Sequence, residues 1–121
     1  MYTFKQSTGQ LFDNGMKLLA VGYAGNGLGK NNPDMEGVSN VGCLPCGLYS
    51  IGNGQDRPTT GALSLPLKPR EPNAMYGRSS FFIHGDLIGN PGNASDGCPI
   101  FDRNTRELID KGVDKLLNVV R

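Results

Sequence analysis

The feature that most constrains the fold of this chain is its density of glycine and proline. Eighteen glycines and eight prolines make up about a fifth of the 121 residues. Both residue types weaken the interior of a helix, glycine through its backbone entropy and proline through its missing N–H. The glycines do not recur at every third position, which excludes a collagen-like chain. A helical bundle is also excluded, and we expect a small, turn-rich, mainly β domain.

Composition and charge restrict the partners of the chain. Twelve basic and eleven acidic residues give a net charge of +1, which excludes a strongly basic nucleic-acid binder. No apolar run reaches the roughly 18 residues that a membrane span requires. The N-terminus has no basic region followed by an apolar run, so we expect synthesis in the cytosol without a signal peptide. We expect one domain over residues 1–121 that binds neither nucleic acid nor membrane.

Short apolar segments bounded by turn residues predict a series of strands. These cover residues 2–5, 10–12, 16–23, 47–52, 63–69 and 79–84, and a long loop occupies 25–40. Prolines within 63–69 hold that strand to an edge or an end of the sheet. The Gly-Lys pair at 29–30 lacks the other residues of a phosphate-binding loop, which disfavours a phosphate site. The glycines of this loop instead predict a flap over a substrate.

The last 18 residues have a different pattern. Asn104 followed by Glu107 resembles a capping box, which predicts a helix that begins at this point. The apolar residues after it are spaced as on one helical face: Leu108, Ile109, Val113, Leu116, Leu117 and Val120. The predicted architecture is mainly β, like a sandwich or a barrel, with a C-terminal helix.

Three interpretations compete for the cysteines. Cys43 and Cys46 form a C-x-x-C pair that, with His84 and Cys98, could supply a zinc site. The second ligand pair would be 14 residues apart, which is unusual for structural zinc. A redox pair is disfavoured because strand-like residues follow Cys46, where a helix would lower the thiol pKa. Two small turn residues, oxidised to each other or not, remain the alternative.

Cys98 and His84 form the strongest candidate site. A free thiol has a pKa of about 8.5 and needs a neighbouring base to attack a carbonyl near neutral pH. His84 is the only histidine in the chain. Gly97 permits a tight turn that presents the sulfur and points backbone N–H groups at an oxyanion. The order His before Cys disfavours a papain-like peptidase.

The motif formed by these residues is similar to a known signature. His84-Gly85, a nine-residue gap and Ser95-Asp96-Gly97-Cys98 resemble the L,D-transpeptidase (YkuD-type) pattern of His, a gap and [Ser/Thr]-x-Gly-Cys. The chain most resembles, over nearly its whole length, the compact type VI secretion L,D-transpeptidase effectors. Two residues depart from the pattern: Asp96 replaces a frequent His, and Pro99 follows the cysteine where Ile is usual. Proline removes a backbone N–H next to the nucleophile.

The resemblance implies a fold, a reaction and partners. It implies the L,D-transpeptidase catalytic fold, with Cys98 as nucleophile, His84 as base, and Ser95 and Gly97 shaping the turn. The implied reaction cleaves the L,D amide of a peptidoglycan tetrapeptide stem, between diaminopimelate and D-alanine, through a thioester. No cofactor or metal is implied. The implied partners are the stem peptides and a cognate immunity protein, and the implied site of action is the periplasm of a target cell.

Four further residues are expected to bind substrate. Arg78 lies six residues before His84 on the same predicted strand, so its side chain would share a face with His84 and could hold a carboxylate. Tyr76 has the same parity. Asp86 and Asp96 complete this set. The alternative function is a non-enzymatic module that binds the cell wall or is stabilised by zinc.

Overall fold

The protein forms a curled sheet with one helix near its C-terminal end. The computed structural model describes residues 1–71 and 73–121. Its elements are β1 (Tyr2–Lys5), β2 (Gln10–Phe12), β3 (Leu18–Val21), β4 (Gly47–Ile51), β5 (Gln55–Arg57), β6 (Gly61–Pro69), β7 (Phe81–Ile83), α1 (Arg103–Lys111) and β8 (Leu116–Val120). The prediction of a small, mainly β, barrel-like fold is confirmed.

The two ends of the chain meet in the middle of the sheet. The strand order is β3-β2-β1-β8-β4-β6-β5, and β7 pairs with β6. β1 and β8 run parallel, with Thr3 opposite Asn118, and the other strand pairs are antiparallel. The core holds fully buried apolar and aromatic side chains, among them Phe4, Leu11, Tyr49, Leu65 and Leu117. No helix in the described part of the chain is long and apolar enough to cross a membrane.

The predicted helix over the last 18 residues is partly wrong. The helix α1 begins after Asp102, whose carboxylate accepts a hydrogen bond from Thr105 N at 3.0 Å, so Asn104 is not the N-cap. It ends at Lys111, before Gly112, and residues 116–120 form the strand β8. Leu117 and Val119 are buried with period two, because β8 lies between β1 and β4. Tertiary pairing outweighs the helical spacing of the same residues.

The strand predicted over 63–69 is not at a sheet edge. β6 pairs with β4, β5 and β7, which places it inside the sheet. The ladder between β4 and β6 ends at the pair formed by Ile51 and Leu67, next to Pro66. Beyond this pair, Gly52 N donates to the Pro66 carbonyl, and this bond requires no N–H from proline. The N–H that proline lacks is therefore not needed by the β4 ladder.

Backbone pairing next to β7 positions the site. His84, at the end of β7, forms a parallel bridge to Ile100, and Ile100 forms an antiparallel bridge to Tyr23. The segment that follows Cys98 is therefore fixed between β7 and the residues after β3. The predicted strand over 16–23 is shorter in the structure, where β3 covers Leu18–Val21.

Candidate active site

The structure brings His84 and Cys98 to the wall of one cavity. The cavity has a volume of about 600 Å³ and opens beside β7. Polar groups from separate parts of the chain line it, including Asn40, Arg57 and Asp96. The cavity therefore combines a thiol, an imidazole and side chains of both charges, which makes it the candidate active site.

Backbone hydrogen bonds fix the two central residues relative to each other. His84 N donates to the Pro99 carbonyl at 3.2 Å, and Phe101 N donates to the His84 carbonyl at 3.1 Å. Two residues before His84, Phe82 N points at the sulfur of Cys98, with an N···Sγ distance of 3.4 Å. These hydrogen bonds attach the segment that carries Cys98 to the end of β7, where His84 lies.

The thiol of Cys98 is half-buried and protonated near neutral pH. Burial raises its pKa above the ordinary value, and the charge of Asp96 raises it further. The Phe82 N–H and the guanidinium groups of Arg57 and Arg78 oppose this shift without cancelling it. The sulfur therefore needs a base to become a nucleophile.

The imidazole of His84 is suited to be that base. Its ring is buried, with 5% of the residue exposed. Nδ1 lies 3.0 Å from the Gly85 carbonyl, and since a carbonyl only accepts, Nδ1 carries the hydrogen and Nε2 keeps its lone pair. Burial, together with the charges of Arg106 and Arg57, lowers the pKa of His84 below its ordinary value. The ring is therefore neutral and able to accept a proton at neutral pH.

Ser95 holds the turn that carries the cysteine. Its hydroxyl accepts hydrogen bonds from Gly25 N at 2.8 Å and Gly97 N at 3.0 Å, and it donates to the Cys98 carbonyl at 2.6 Å. The side chain is 2% exposed. Every hydrogen-bonding position of this hydroxyl is occupied, so Ser95 fixes the backbone and does not react.

Gly97 is required by its backbone angle and by its surroundings. Its φ of +142° lies in a region that favours glycine. A Cβ built there would lie 2.5 Å from Arg78 Nη2 and 2.9 Å from the Gly42 carbonyl. Within residues 1–71 and 73–121, the N–H of Cys98 donates to no acceptor. It is therefore available to a substrate oxygen.

Arg78 does not lie on the strand that carries His84. β7 begins at Phe81, and the positive φ angles of Tyr76 and Ser80 show that the preceding residues form turns, so the predicted strand parity is wrong. The Arg78 guanidinium is buried and donates to four backbone carbonyls, those of Glu36, Gly42, Cys43 and Asp96. It ties the turn of Cys98 to the loop before β4. Its predicted role as a carboxylate ligand stays a prediction.

The other expected substrate residues have separate locations. Tyr76 is 55% exposed and donates its hydroxyl to Glu36 at 3.0 Å, away from the cavity lining. The Asp86 carboxylate accepts hydrogen bonds from Tyr23 Oη at 2.6 Å and from Gly92 N, so it orders the loop between His84 and Cys98. Asp96 is exposed on the cavity wall. Of these three residues, Asp96 alone faces the cavity.

The long loop over 25–40 contacts the segment behind Cys98 at its start and lines the cavity only near its end. Gly25 N and Asn26 Nδ2 bind Ser95 behind the Cys98 turn, at Oγ and at the carbonyl oxygen respectively. The cavity lining includes Ser39 and Asn40 from the end of this loop and no residue from 25–33. Residues 25–33 therefore contact the nucleophile segment without lining the cavity, and their interpretation as a flap over the site stays a prediction.

The structure does not bring the zinc candidates together. Cys43 is buried, and its sulfur lies 3.3 Å from the Ala24 carbonyl, whereas Cys98 faces the cavity. The pKa of Cys46 is raised to about 11 by burial and by the charge of Glu36. In the part of the chain that the structure describes, no three His, Cys, Asp or Glu residues form a group that could hold a metal ion. The zinc-stabilised alternative has no geometric support.

Sequence reasoning missed Arg57 as a cavity residue. It ends β5, a strand that the pattern did not predict, and its guanidinium carbon lies 3.8 Å from the centre of the Phe82 ring. A short strand without alternating apolar residues gives no sequence signal. Its proximity to Phe82 arises from the pairing of β5 and β7 with the same strand, β6.

Comparison with known families assigns the chain. The sequence profile of the Tlde1 domain matches residues 19–120. This range covers most of the chain, so the protein belongs to the Tlde1-domain family of type VI secretion effectors. Membership implies a cognate immunity protein and is consistent with secretion into a target cell. No curated protein and no solved structure matches the chain.

Proposed function

We propose that this Tlde1-domain protein is a cysteine acyl-transfer enzyme that cleaves peptidoglycan stem peptides in the periplasm of a target cell. The whole chain, residues 1–121, would act as one catalytic domain. The observation that carries the proposal is the arrangement around Cys98 and His84 in one cavity: an amide N–H points at the sulfur, and a carbonyl fixes the imidazole tautomer. The resemblance to L,D-transpeptidases supplies the substrate.

The first half-reaction forms a thioester. Nε2 of His84 takes the proton of the Cys98 thiol as the sulfur attacks the carbonyl carbon of the third stem residue. The carbon–nitrogen bond to D-alanine breaks, and the proton on His84 passes to the leaving amine. Cys98 then carries the acyl group, and His84 is neutral again.

Backbone amides would stabilise the charge that develops on the substrate oxygen. The N–H of Cys98, which has no acceptor in the described residues, is the donor that we assign to this oxyanion. Pro99 supplies no N–H for this purpose, and its carbonyl accepts from His84 N, which fixes the segment after the nucleophile against the end of β7.

The second half-reaction releases the acyl group to an acceptor. His84 takes a proton from water or from an amine, the acceptor attacks the thioester carbonyl, and the carbon–sulfur bond breaks. The thiolate recovers its proton from His84. Water as acceptor gives a tripeptide stem, whereas an amine or a D-amino acid gives an exchanged or cross-linked product.

Digestion of purified muropeptides tests the proposal. The wild-type protein should convert disaccharide tetrapeptides to tripeptides or exchange products, separated by chromatography and identified by mass. Cys98→Ala and His84→Ala should each abolish conversion and keep the wild-type circular dichroism spectrum. Cys46→Ala, a matched change at a half-buried thiol outside the cavity, should retain activity. Full activity of Cys98→Ala, or binding without cleavage by the wild type, would contradict the proposal.

A further inference from the structure

The three arginines around the active site differ in what their guanidinium groups contact. Arg78 donates to four backbone carbonyls, and Arg106 donates to the carbonyls of residues 62, 63, 101 and 102. Both are buried. Most of their N–H groups donate to backbone carbonyls, so both guanidinium groups are held mainly by the fold itself.

Arg57 differs from them. It lines the cavity, and in residues 1–71 and 73–121 its guanidinium forms no hydrogen bond and no ion pair. Its carbon Cζ lies 3.8 Å from the centre of the Phe82 ring, a cation–π contact. This contact leaves the N–H donors of the guanidinium without a hydrogen-bond acceptor in the described residues. A guanidinium held in this way is preorganised for a bidentate contact with a carboxylate.

The position of Arg57 places its charge beside the reacting groups. Its stacking partner Phe82 is the residue whose backbone N–H points at the Cys98 sulfur. The charge of Arg57 also lowers the pKa values of both Cys98 and His84, so it acts on both from within the same cavity. A carboxylate bound at this point would lie near the bond that breaks.

We propose that Arg57, stacked on Phe82, forms a carboxylate-binding subsite of the cavity that selects stem peptides by an anionic group next to the scissile bond. The inference rests on the proposed function for the identity of the peptide. A tetrapeptide stem carries two carboxylates that fit: the C-terminal carboxylate of the leaving D-alanine, and the side-chain carboxylate of diaminopimelate. The contact chemistry is the same for both.

A substrate series separates the two carboxylates. Wild-type protein and Arg57→Gln are compared on three peptides: the diaminopimelate tetrapeptide, its C-terminal amide, and a tetrapeptide with lysine at position three. Loss of a charge-assisted bidentate contact should raise KM by about 10- to 100-fold. For the wild type, KM should rise by this factor on the one peptide that lacks the carboxylate bound by Arg57. For Arg57→Gln, KM should be the same on that peptide and on the diaminopimelate tetrapeptide.

Two further variants act as controls. Arg57→Lys keeps the charge without the planar fork, so its KM should be intermediate between the wild type and Arg57→Gln. Arg103→Gln removes an exposed arginine of α1 that pairs with Glu107, and it should behave as wild type. If Arg57→Gln lowers activity equally on all three peptides, or changes none of them, the subsite proposal is overturned.

Binding without turnover distinguishes this inference from the proposed function. Calorimetry with the tetrapeptide compares Cys98→Ala with the double variant Cys98→Ala/Arg57→Gln. Weaker binding by the double variant supports the subsite, even if the wild type cleaves no stem peptide and the catalytic proposal fails. Equal binding by both, or no binding by Cys98→Ala, overturns the subsite. Cleavage with kinetics independent of Arg57 would overturn the subsite and leave the catalytic proposal intact.

Discussion

Replacement of Ser95 by alanine is the sharpest test of how the nucleophile turn is built. The hydroxyl of Ser95 accepts from Gly25 N and Gly97 N and donates to the Cys98 carbonyl, and the side chain is buried. The change to alanine removes the single acceptor that two buried amides share. The same hydroxyl holds Gly25 at the start of the long loop, so the change should loosen both the nucleophile turn and its contact with that loop.

The magnitude follows from the two amides. A buried donor left without an acceptor costs about 1–3 kcal/mol, so Ser95→Ala should lower the free energy of unfolding by about 2–6 kcal/mol. Stability of a domain of this size is about 5–15 kcal/mol, so most molecules should remain folded at 25 °C unless the largest loss meets the lowest stability. Displacement of Cys98 relative to His84 by about 1 Å should lower kcat by about 100-fold in the folded fraction.

Urea unfolding and steady-state kinetics measure the two effects separately. The unfolding midpoint of Ser95→Ala should fall with an unchanged slope, which identifies a loss of stability. Ser79→Ala is the matched control for stability, because Ser79 is exposed, and its free energy of unfolding should stay within about 0.5 kcal/mol of the wild type; Ser79 lines the cavity, so it is not a control for kcat. Ser95→Thr, which keeps the hydroxyl, should retain more stability than Ser95→Ala. A Ser95→Ala variant with wild-type stability and kcat would refute the reasoning.

Three other perturbations test separate parts of the site. Arg78→Ala should lower the unfolding midpoint in urea, because it leaves buried carbonyls without donors; a change in KM alone would instead support the predicted carboxylate role. Gly97→Ala should abolish activity and lower the melting temperature, since its Cβ meets Arg78 and the backbone angle is strained; an active, stable variant would contradict this. The acid limb of kcat/KM should fall below about pH 6.5, because burial lowers the pKa of His84, and a limb above pH 7 would contradict it. His84 binds its proton less well in the folded state than in the unfolded state, so its contribution to stability should be present above about pH 6.5 and lost as pH falls through its folded pKa. Urea unfolding at a series of pH values should show this loss in the wild type and not in His84→Gln.

Local pattern was enough for most of the strands, but not for β5 or for the end of the chain. The strands near residues 2–5 and 10–12 follow from short apolar runs and a turn between them, and the structure has both. Residues 116–120 fit a helical face equally well, and their strand conformation depends on pairing with β1 at the other end of the chain. Pairing over such a distance in sequence leaves no local signal.

For the candidate site, too, some residues could be predicted from the sequence and others could not. Cys98 and His84 could be found from sequence because each carries chemistry that few other residues in the chain supply. The contacts of Arg78 and Arg57 could not be predicted from sequence. The carbonyls around Arg78 and the Phe82 ring against Arg57 come from distant segments of the chain. An arginine that braces a turn and one that faces a substrate look alike in sequence, and burial with its partners distinguishes them.

Detection of the acyl-enzyme tests the central claim most directly. The protein is mixed with diaminopimelate tetrapeptide, quenched in acid to preserve thioesters, and analysed as intact mass and after peptide mapping. The account predicts an added tripeptide acyl group on the fragment that contains Cys98, with release of D-alanine and no adduct in Cys98→Ala. An adduct on Cys43 or Cys46, or stem-peptide cleavage that persists in Cys98→Ala, would contradict it.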